Sequence, residues 1–186
     1  ITAINRVLDS SDHAEYFANK WSAILRNKRR QDSDKIATFA FYDWIRQGLY
    51  QNKPYDQFVR EILTASGTPG TNAPVAWYRE VADQAAQVED TAQLFLGLRI
   101  QCARCHHHPF EKWSQQDYYG FSAFFSRVGK KKGYIQGQDR IFHNPGAAQA
   151  QNPKTKDNVP PTGLGSEPPI LDPQDDPRIS LADWMA

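Results

Sequence analysis

Residues 102–106 read Cys102-Ala103-Arg104-Cys105-His106, and this stretch holds both cysteines of the 186-residue chain. Two cysteines separated by two residues and followed directly by histidine form the attachment pattern of a c-type haem. In that pattern the thiols form thioethers to the porphyrin vinyl groups, and the histidine supplies an axial nitrogen to the iron. On a helix Cys102 and His106 share a face. The stretch therefore predicts one covalent haem c held by Cys102, Cys105 and His106.

Other chemistry can use the same side chains. Cys102, Cys105 and either His106 or His108 could bind zinc or non-haem iron, because thiolate and imidazole are ligands of both metals. The two thiols could also form a redox-active pair, or they could be structural cysteines. A second histidine two residues after the first is not required by a simple cytochrome, so the metal alternative stays open.

The overall composition indicates a domain of ordinary size, with 40% hydrophobic residues and a net charge of +1. This charge gives no general attraction to nucleic acid, so no nucleic-acid partner is predicted. The run Lys130-Lys131-Lys132 is interpreted as a solvated turn rather than as a polyanion site. No apolar stretch approaches the roughly 20 residues that a membrane helix needs, so no membrane span is predicted.

Apolar residues at helical spacing predict several helices before the cysteines. A first helix starts at Asp12, with Glu15 at the spacing of a capping box. A second helix follows Asp34, and a third follows Pro54. The predicted buried faces of these three helices are Phe17, Trp21, Ile24 and Leu25; Ile36, Phe39, Ala40, Trp44, Ile45 and Leu49; and Phe58, Val59, Ile62 and Leu63.

A further helix is predicted to open at Glu89 and to run through the cysteine motif. It ends before Pro109, because proline disfavours a helical conformation in the residue that precedes it. Ser114 and Asp117 predict the capped start of the next helix, whose apolar side follows them. The fold class is therefore mainly α, an irregular helical haem-binding domain.

After Gly129 the sequence changes character. Residues 133–142 predict a small β-hairpin around Gln136-Gly137-Gln138, with Tyr134, Ile135, Ile141 and Phe142 as strand residues. Residues 144–177 contain most of the chain's 12 prolines. We interpret them as a Pro-rich C-terminal arm that lies on the helices, or as a linker.

The residues that follow the cysteines extend the motif, because residues 102–119 read CARCHHHPFEKWSQQDYY. This stretch resembles the core of the planctomycete cytochrome-like domain family of otherwise unknown function, which reads Cys-x-x-Cys-His-x-His-Pro-Phe-x-x-Trp-x-x-x-Asp-Tyr-Tyr. Residues 13–21 and 52–61 also resemble that family, so the likeness covers about residues 10–175. Asn152 stands where the family often has a histidine, and no role of that histidine is carried over.

The resemblance implies a haem domain within a larger secreted, multidomain protein. Residues 176–184 look like the opening of the partner domain that usually follows. We therefore expect a helical c-type haem domain over residues 1–143, the Pro-rich arm over 144–177, and the start of a partner domain over 178–186. The chain begins at Ile1, so we interpret it as a fragment. Covalent haem attachment in bacteria takes place outside the cytoplasm, and this predicts an extracytoplasmic location, periplasmic or at the cell surface.

Three residues near the thiols are candidates for further haem contacts. Arg104 lies between the thiols and is predicted to pair with a propionate. Trp113 and Tyr118 are predicted to contribute to the apolar wall that keeps water from the haem.

The sixth iron ligand is the open point of the haem hypothesis. His143 is a candidate distal ligand, because it follows the predicted hairpin. His108 is a candidate for a second site or for the distal position, although it lies about 200° around a helix from His106. An open sixth position is the third possibility.

Three functions follow from these alternatives. The first is a mono-haem c-type cytochrome domain that transfers electrons to a redox partner protein, or to a domain of the same polypeptide. The second is an open-site haem enzyme or gas sensor. The third is a non-haem zinc or iron module. The sequence contains no convincing catalytic triad or carboxylate pair, so an electron-transfer domain is favoured over a catalyst and no catalytic residue is predicted.

Overall fold

The computed structural model describes residues 2–186, and the prediction of a mainly α fold is confirmed. The helices are α1 (Thr2–Leu8), α2 (Ser11–Ile24), α3 (Lys35–Tyr50), α4 (Tyr55–Leu63), α5 (Trp77–Glu80), α6 (Gln84–Phe95), α7 (Gln115–Ala123) and α8 (Pro177–Met185). Short 3-10 helices occupy Asp32–Asp34, Ala73–Ala76 and Gln101–Arg104. The strands form two antiparallel pairs, β1 (Val128–Lys131) with β2 (Arg140–His143) and β3 (Ala150–Gln151) with β4 (Asn158–Val159).

The chain divides into two compact units. The first contains residues up to 80 together with 130–142, and the second contains residues 81–129 and 143–186. The expected domains 1–143, 144–177 and 178–186 remain predictions, and Ile1 lies outside the described residues.

In the first unit, α2 begins earlier than predicted. The hydroxyl of Ser10 accepts a hydrogen bond from the His13 amide at 3.3 Å, so Ser10 is the N-cap and the predicted capping box of Asp12 with Glu15 is wrong. A side-chain oxygen at this position satisfies an amide that has no partner within the helix.

The buried face of α2 is also different from the prediction. Leu25, at the end of the helix, is buried as predicted, but Phe17 and Ile24 are exposed, and Ala14 and Ala18 are buried instead. The small side chains face α3, against which α2 packs. Alanines allow two helix backbones to approach closely, and this contact takes the place of the larger apolar stripe.

Helices α3 and α4 differ in how well the sequence predicted them. In α3, Ile45 is buried as expected, but Phe39 has 61% of its surface exposed and Ile36 is exposed as well. In α4 the prediction is confirmed for every residue of its apolar face, namely Phe58, Val59, Ile62 and Leu63.

In the second unit, α6 is not the helix that was predicted. Its N-cap is Asp83, whose carboxylate accepts a hydrogen bond from the Ala86 amide at 2.8 Å. It ends at Phe95, because Gly97 adopts a left-handed conformation with φ of +70° that reverses the chain. The helix therefore neither opens at Glu89 nor runs into the cysteine motif.

Helix α7 confirms its predicted start. The Ser114 hydroxyl accepts from the Asp117 amide at 3.1 Å, and the Asp117 carboxylate accepts from the Ser114 amide at 2.7 Å. The helix buries Tyr118 and Phe121, so it forms part of the core of the second unit.

The remaining chain combines strands with irregular structure. A hairpin is present, but Tyr134 and Ile135 lie exposed between its strands, so their assignment as strand residues is wrong. The arm lies on α7, where the Thr162 amide donates to the Gly120 carbonyl at 3.0 Å. A Cβ at Gly120 would lie 3.0 Å from the Cβ of Thr162, so glycine permits this close approach.

Candidate functional site

A single helical turn carries the cysteine motif. The Cys105 amide and the His106 amide both donate to the Cys102 carbonyl, at 3.2 and 3.3 Å. The second of these bonds spans four residues, as in an α-helix, so Cys102 and His106 lie on the same side of the turn. The shared face predicted from the sequence is therefore formed by this short turn rather than by a long helix.

The two thiols are accessible. Cys102 and Cys105 are exposed and are not joined in a disulfide. Between them in sequence, Ala103 is buried and attaches the turn to the second unit. The backbone thus holds both sulfur atoms at the surface, where a group outside the chain can reach them.

The ring of His106 is oriented by its neighbour. Its Nδ1 atom lies 2.6 Å from the carbonyl oxygen of His107, which can only accept a hydrogen bond. In the neutral ring the proton is therefore on Nδ1, and the lone pair is on Nε2. A backbone carbonyl bonded to one ring nitrogen is the usual way in which proteins fix the tautomer of a metal-binding histidine.

The ring of His108 has a different role, because it makes hydrogen bonds at both nitrogens. Nε2 lies 2.8 Å from the Arg99 carbonyl and donates to it. Nδ1 accepts from the Glu111 amide at 2.9 Å and from the Phe110 amide at 3.3 Å. The ring ties together the two ends of the loop that contains the cysteines, and it would lose these bonds if it bound a metal.

Arg104 is held on its backbone side by α7. Its carbonyl accepts hydrogen bonds from the Gln115 side chain at 3.0 Å and from the Tyr119 hydroxyl at 3.3 Å. Its guanidinium is about half exposed and lies 3.8 Å from the Glu89 carboxylate. The guanidinium therefore keeps free donors that point into solvent, as the predicted propionate contact requires.

Glu89 also accepts a hydrogen bond from the hydroxyl of Tyr118, at 3.1 Å. Burial, and next the neighbouring Glu89 carboxylate, raise the pKa of Tyr118 above its ordinary range. These roles of Glu89 and Gln115 were not predicted from the sequence, because their contacts join residues that are 29 and 11 positions apart. The predicted wall residue Tyr118 is thus a core residue that supports the motif through Glu89.

Two aromatic residues lie in the loop after the motif. Trp113 is half-buried, and its indole nitrogen is buried without a hydrogen bond. Phe110 has 91% of its surface exposed. Sequence reasoning gave Phe110 no separate role, although it is an exposed apolar ring in the same loop as the two thiols.

His143 lies at the end of β2 in an enclosed environment. Both ring nitrogens are buried without a hydrogen bond, and Nδ1 lies 4.0 Å from the carboxylate of Asp176. That carboxylate is paired with the buried guanidinium of Arg178 at 2.6 Å. As a distal iron ligand His143 would have to leave these surroundings.

No group of three or more His, Cys, Asp or Glu side chains within residues 2–186 is arranged to bind a metal ion. A zinc or iron site on the two thiols would therefore need the loop of residues 99–113 to rearrange and bring in a further ligand. In the same range, no helix has the length and apolar character needed to cross a membrane.

Comparison with known proteins identifies a family and nothing beyond it. The family PSCyt2, described as a protein of unknown function (DUF1549), matches residues 2–130, which is more than half of the chain. No curated protein and no solved structure matches the sequence. The chain therefore belongs to the PSCyt2 family of proteins of unknown function.

Proposed function

We propose that this chain is a mono-haem c-type cytochrome domain that transfers electrons. Cys102 and Cys105 would carry the haem as thioethers, and His106 would bind its iron as the proximal ligand. The observation that carries the proposal is the helical turn of residues 102–106, which presents two unpaired, exposed thiols and an imidazole whose Nε2 is free. These are the groups that covalent haem attachment uses.

The surrounding residues fit this role. When bound, a haem supplies an iron that exchanges single electrons, at a potential set by its ligands and surroundings. The hydrogen bond from His106 Nδ1 to the His107 carbonyl orients Nε2 and would make it a stronger ligand for the iron. Arg104 offers free guanidinium donors to a propionate, and Phe110 offers an apolar surface that would exclude water.

The partner would be a second redox protein, or a redox domain of a longer polypeptide. Exposure of the motif favours this, because electron transfer needs the donor and acceptor groups to approach closely. The location would be extracytoplasmic, periplasmic or at the cell surface, since covalent haem attachment in bacteria takes place there.

The test is to express the chain with an export signal and a c-type haem maturation system. We expect red protein, an intact mass raised by one haem, and a pyridine haemochrome spectrum of the c type. Changing both thiols, in the variant Cys102→Ser/Cys105→Ser, should abolish covalent attachment. His107→Ala is the matched control, because this exposed neighbour contributes only its backbone carbonyl, and attachment should be retained.

The contrary result is equally clear. If a known cytochrome matures in the same cells while this chain keeps both thiols unmodified, the proposal is wrong. Colourless protein with one zinc per chain would favour the non-haem module instead.

A haem with an open sixth position is the second candidate function, and one observation favours it. Both ring nitrogens of His108 are already hydrogen-bonded, and those of His143 are buried beside Asp176. Neither histidine therefore presents a free nitrogen at the surface as a sixth ligand. A high-spin spectrum that changes with carbon monoxide would favour an open-site haem enzyme or gas sensor, and a low-spin spectrum without such a change would favour electron transfer.

A further inference from the structure

The first unit contains a cavity of about 720 Å³ that shares no residue with the cysteine motif. This volume lies within the range of pockets that bind small organic molecules. The cavity is lined by residues of the segment before α3, of α3 itself, of residues 69–79 and of the β1–β2 hairpin. It is therefore built from parts of the chain that are distant in sequence.

The floor of the cavity is apolar. Buried lining residues include Ala37 on α3, Val75 and Ala76 on the 3-10 helix, and Ile141 on β2. The ring of Tyr78 is also buried there, and its hydroxyl donates to the Leu63 carbonyl. An organic group bound there would gain free energy by removing from water the apolar lining surface that is still exposed, such as the ring of Tyr134.

The rim of the cavity is cationic. Four cationic side chains line it, against the two carboxylates of Asp34 and Asp139. Asp34 accepts from the amides of Arg30 and Gln31 at 3.1 and 3.3 Å, and Asp139 pairs with Lys130 at 3.2 Å. Arg79 also lies 3.7 Å from Asp34 and 3.4 Å from Glu80, and Arg30 pairs with Glu80 as well. Of the four cationic side chains, Lys132 therefore supplies the positive charge that no carboxylate of residues 2–186 balances.

Donors on the rim remain available. The Arg30 guanidinium is 58% exposed, and only its Nη2 is used in the 2.7 Å pair with Glu80. Lys132 is exposed and makes no ion pair within residues 2–186. A group with several terminal oxygens could accept hydrogen bonds from cationic side chains of this rim, and such charge-assisted bonds are stronger than neutral ones.

The lysine run at residues 130–132 is divided by the cavity. Lys130 and Lys132 line it, and Lys131 does not. All three lysines are exposed, as the interpretation of a solvated run requires, but Lys130 and Lys131 belong to β1, so the run is not a turn.

We propose that this cavity binds a small organic molecule carrying a phosphate or sulfate group, with the anion on the Arg30–Lys132 rim and the organic part on the apolar floor. The inference is independent of the proposed haem, because none of the lining residues belongs to the loop of residues 99–113.

Isothermal titration calorimetry of the 186-residue chain with phenyl phosphate and phenyl sulfate tests this proposal and distinguishes the two anions. Phenol is the probe without an anion, and inorganic phosphate is the probe without an organic part. We expect one or both esters to bind more tightly than phenol and inorganic phosphate. Lys132→Gln should weaken binding about fivefold, the effect of one exposed charge pair, whereas Lys131→Gln should change it by less than about twofold.

Two-dimensional NMR during the titration locates the ligand. Amide shifts at Val75, Ala76 and Ile141 would support the proposal, since these residues form the floor. The proposal is overturned by any of three results: no measurable binding of either ester, equal weakening by the two lysine variants, or shifts confined to the lysines. Both variants alter exposed side chains, so loss of folding does not confound the comparison.

Discussion

The loop of residues 99–113 and helix α7 are neighbours in sequence, yet they are stabilised in opposite ways. Helix α7 buries aromatic side chains such as Tyr118 and Phe121. The loop exposes Cys102, Cys105 and Phe110, and it is held by backbone hydrogen bonds and by the ring of His108. The difference shows how a chain can present reactive groups at its surface without giving up a defined conformation, because a packed helix next to the loop supplies the stability.

The largest effect in this comparison is expected in α7. Phe121 is completely buried and contacts Phe124 and Trp184 through its ring. Phe121→Ala should lower the free energy of unfolding by about 3–5 kcal/mol, because it removes a buried ring and leaves a cavity. Denaturant unfolding followed by circular dichroism measures this loss. A loss below about 1 kcal/mol would mean that Phe121 does not belong to the packed core of the second unit.

A pH effect should follow from Tyr118, which joins α7 to Glu89. Its folded pKa is raised above the unfolded value, so its contribution to stability is complete below about pH 10 and decreases as the pH rises further. Above that pH, as long as the Tyr118 hydroxyl of the folded protein stays protonated, this residue should lower the free energy of unfolding by about 1.4 kcal/mol per pH unit. Tyr118→Phe should remove that part of the slope. An unchanged slope in the variant would contradict the assignment.

An intermediate effect is expected at the junction of the two regions. Ser114 ends the loop and caps α7, with its hydroxyl accepting from the Asp117 amide. Ser114→Ala should cost about 1 kcal/mol of unfolding free energy, because the amide loses its partner. Ser114→Thr retains the hydroxyl and is the matched control, with a smaller expected loss. Equal losses in the two variants would show that the hydroxyl is not what stabilises the junction.

The smallest effect on stability is expected in the loop. Phe110→Ala removes an exposed ring and should change the free energy of unfolding by less than about 0.5 kcal/mol. If Phe110 covers the proposed haem, the same variant should alter the visible spectrum or the reduction potential of the mature protein. A large loss of stability without bound haem would instead place Phe110 in the core.

The fold was predictable where one pattern dominated a segment. The apolar face of α4 and the capping box of α7 were confirmed, because both are set by residues within a few positions of each other. The faces of α2 and α3 were predicted only in part: Leu25 and Ile45 are buried as expected, whereas Phe17 and Phe39 are exposed and the smaller Ala14 and Ala37 are buried instead. Side-chain hydrophobicity does not reveal which of two faces meets a neighbour.

The candidate site, like the fold, was predictable only where its residues are neighbours in sequence. The relative positions of Cys102, Cys105 and His106 could be predicted from their spacing, because all three lie in one helical turn. The roles of Glu89 and Gln115 could not be predicted, because they contact Tyr118 and Arg104 only in the folded chain. The predicted ligand His108 makes local hydrogen bonds that hold the loop, which sequence spacing alone did not distinguish from a metal-binding role.

By itself, the sequence determined that two thiols and an imidazole lie within one helical turn, and that the chain is mainly helical. These properties depend on neighbours along the chain, whose geometry the backbone dictates. Only the tertiary structure decided that Arg104 is supported by α7, that Lys132 faces a cavity with Arg30, and that Lys131 does not. Those contacts join distant segments, and their positions are set by how the helices and the hairpin pack.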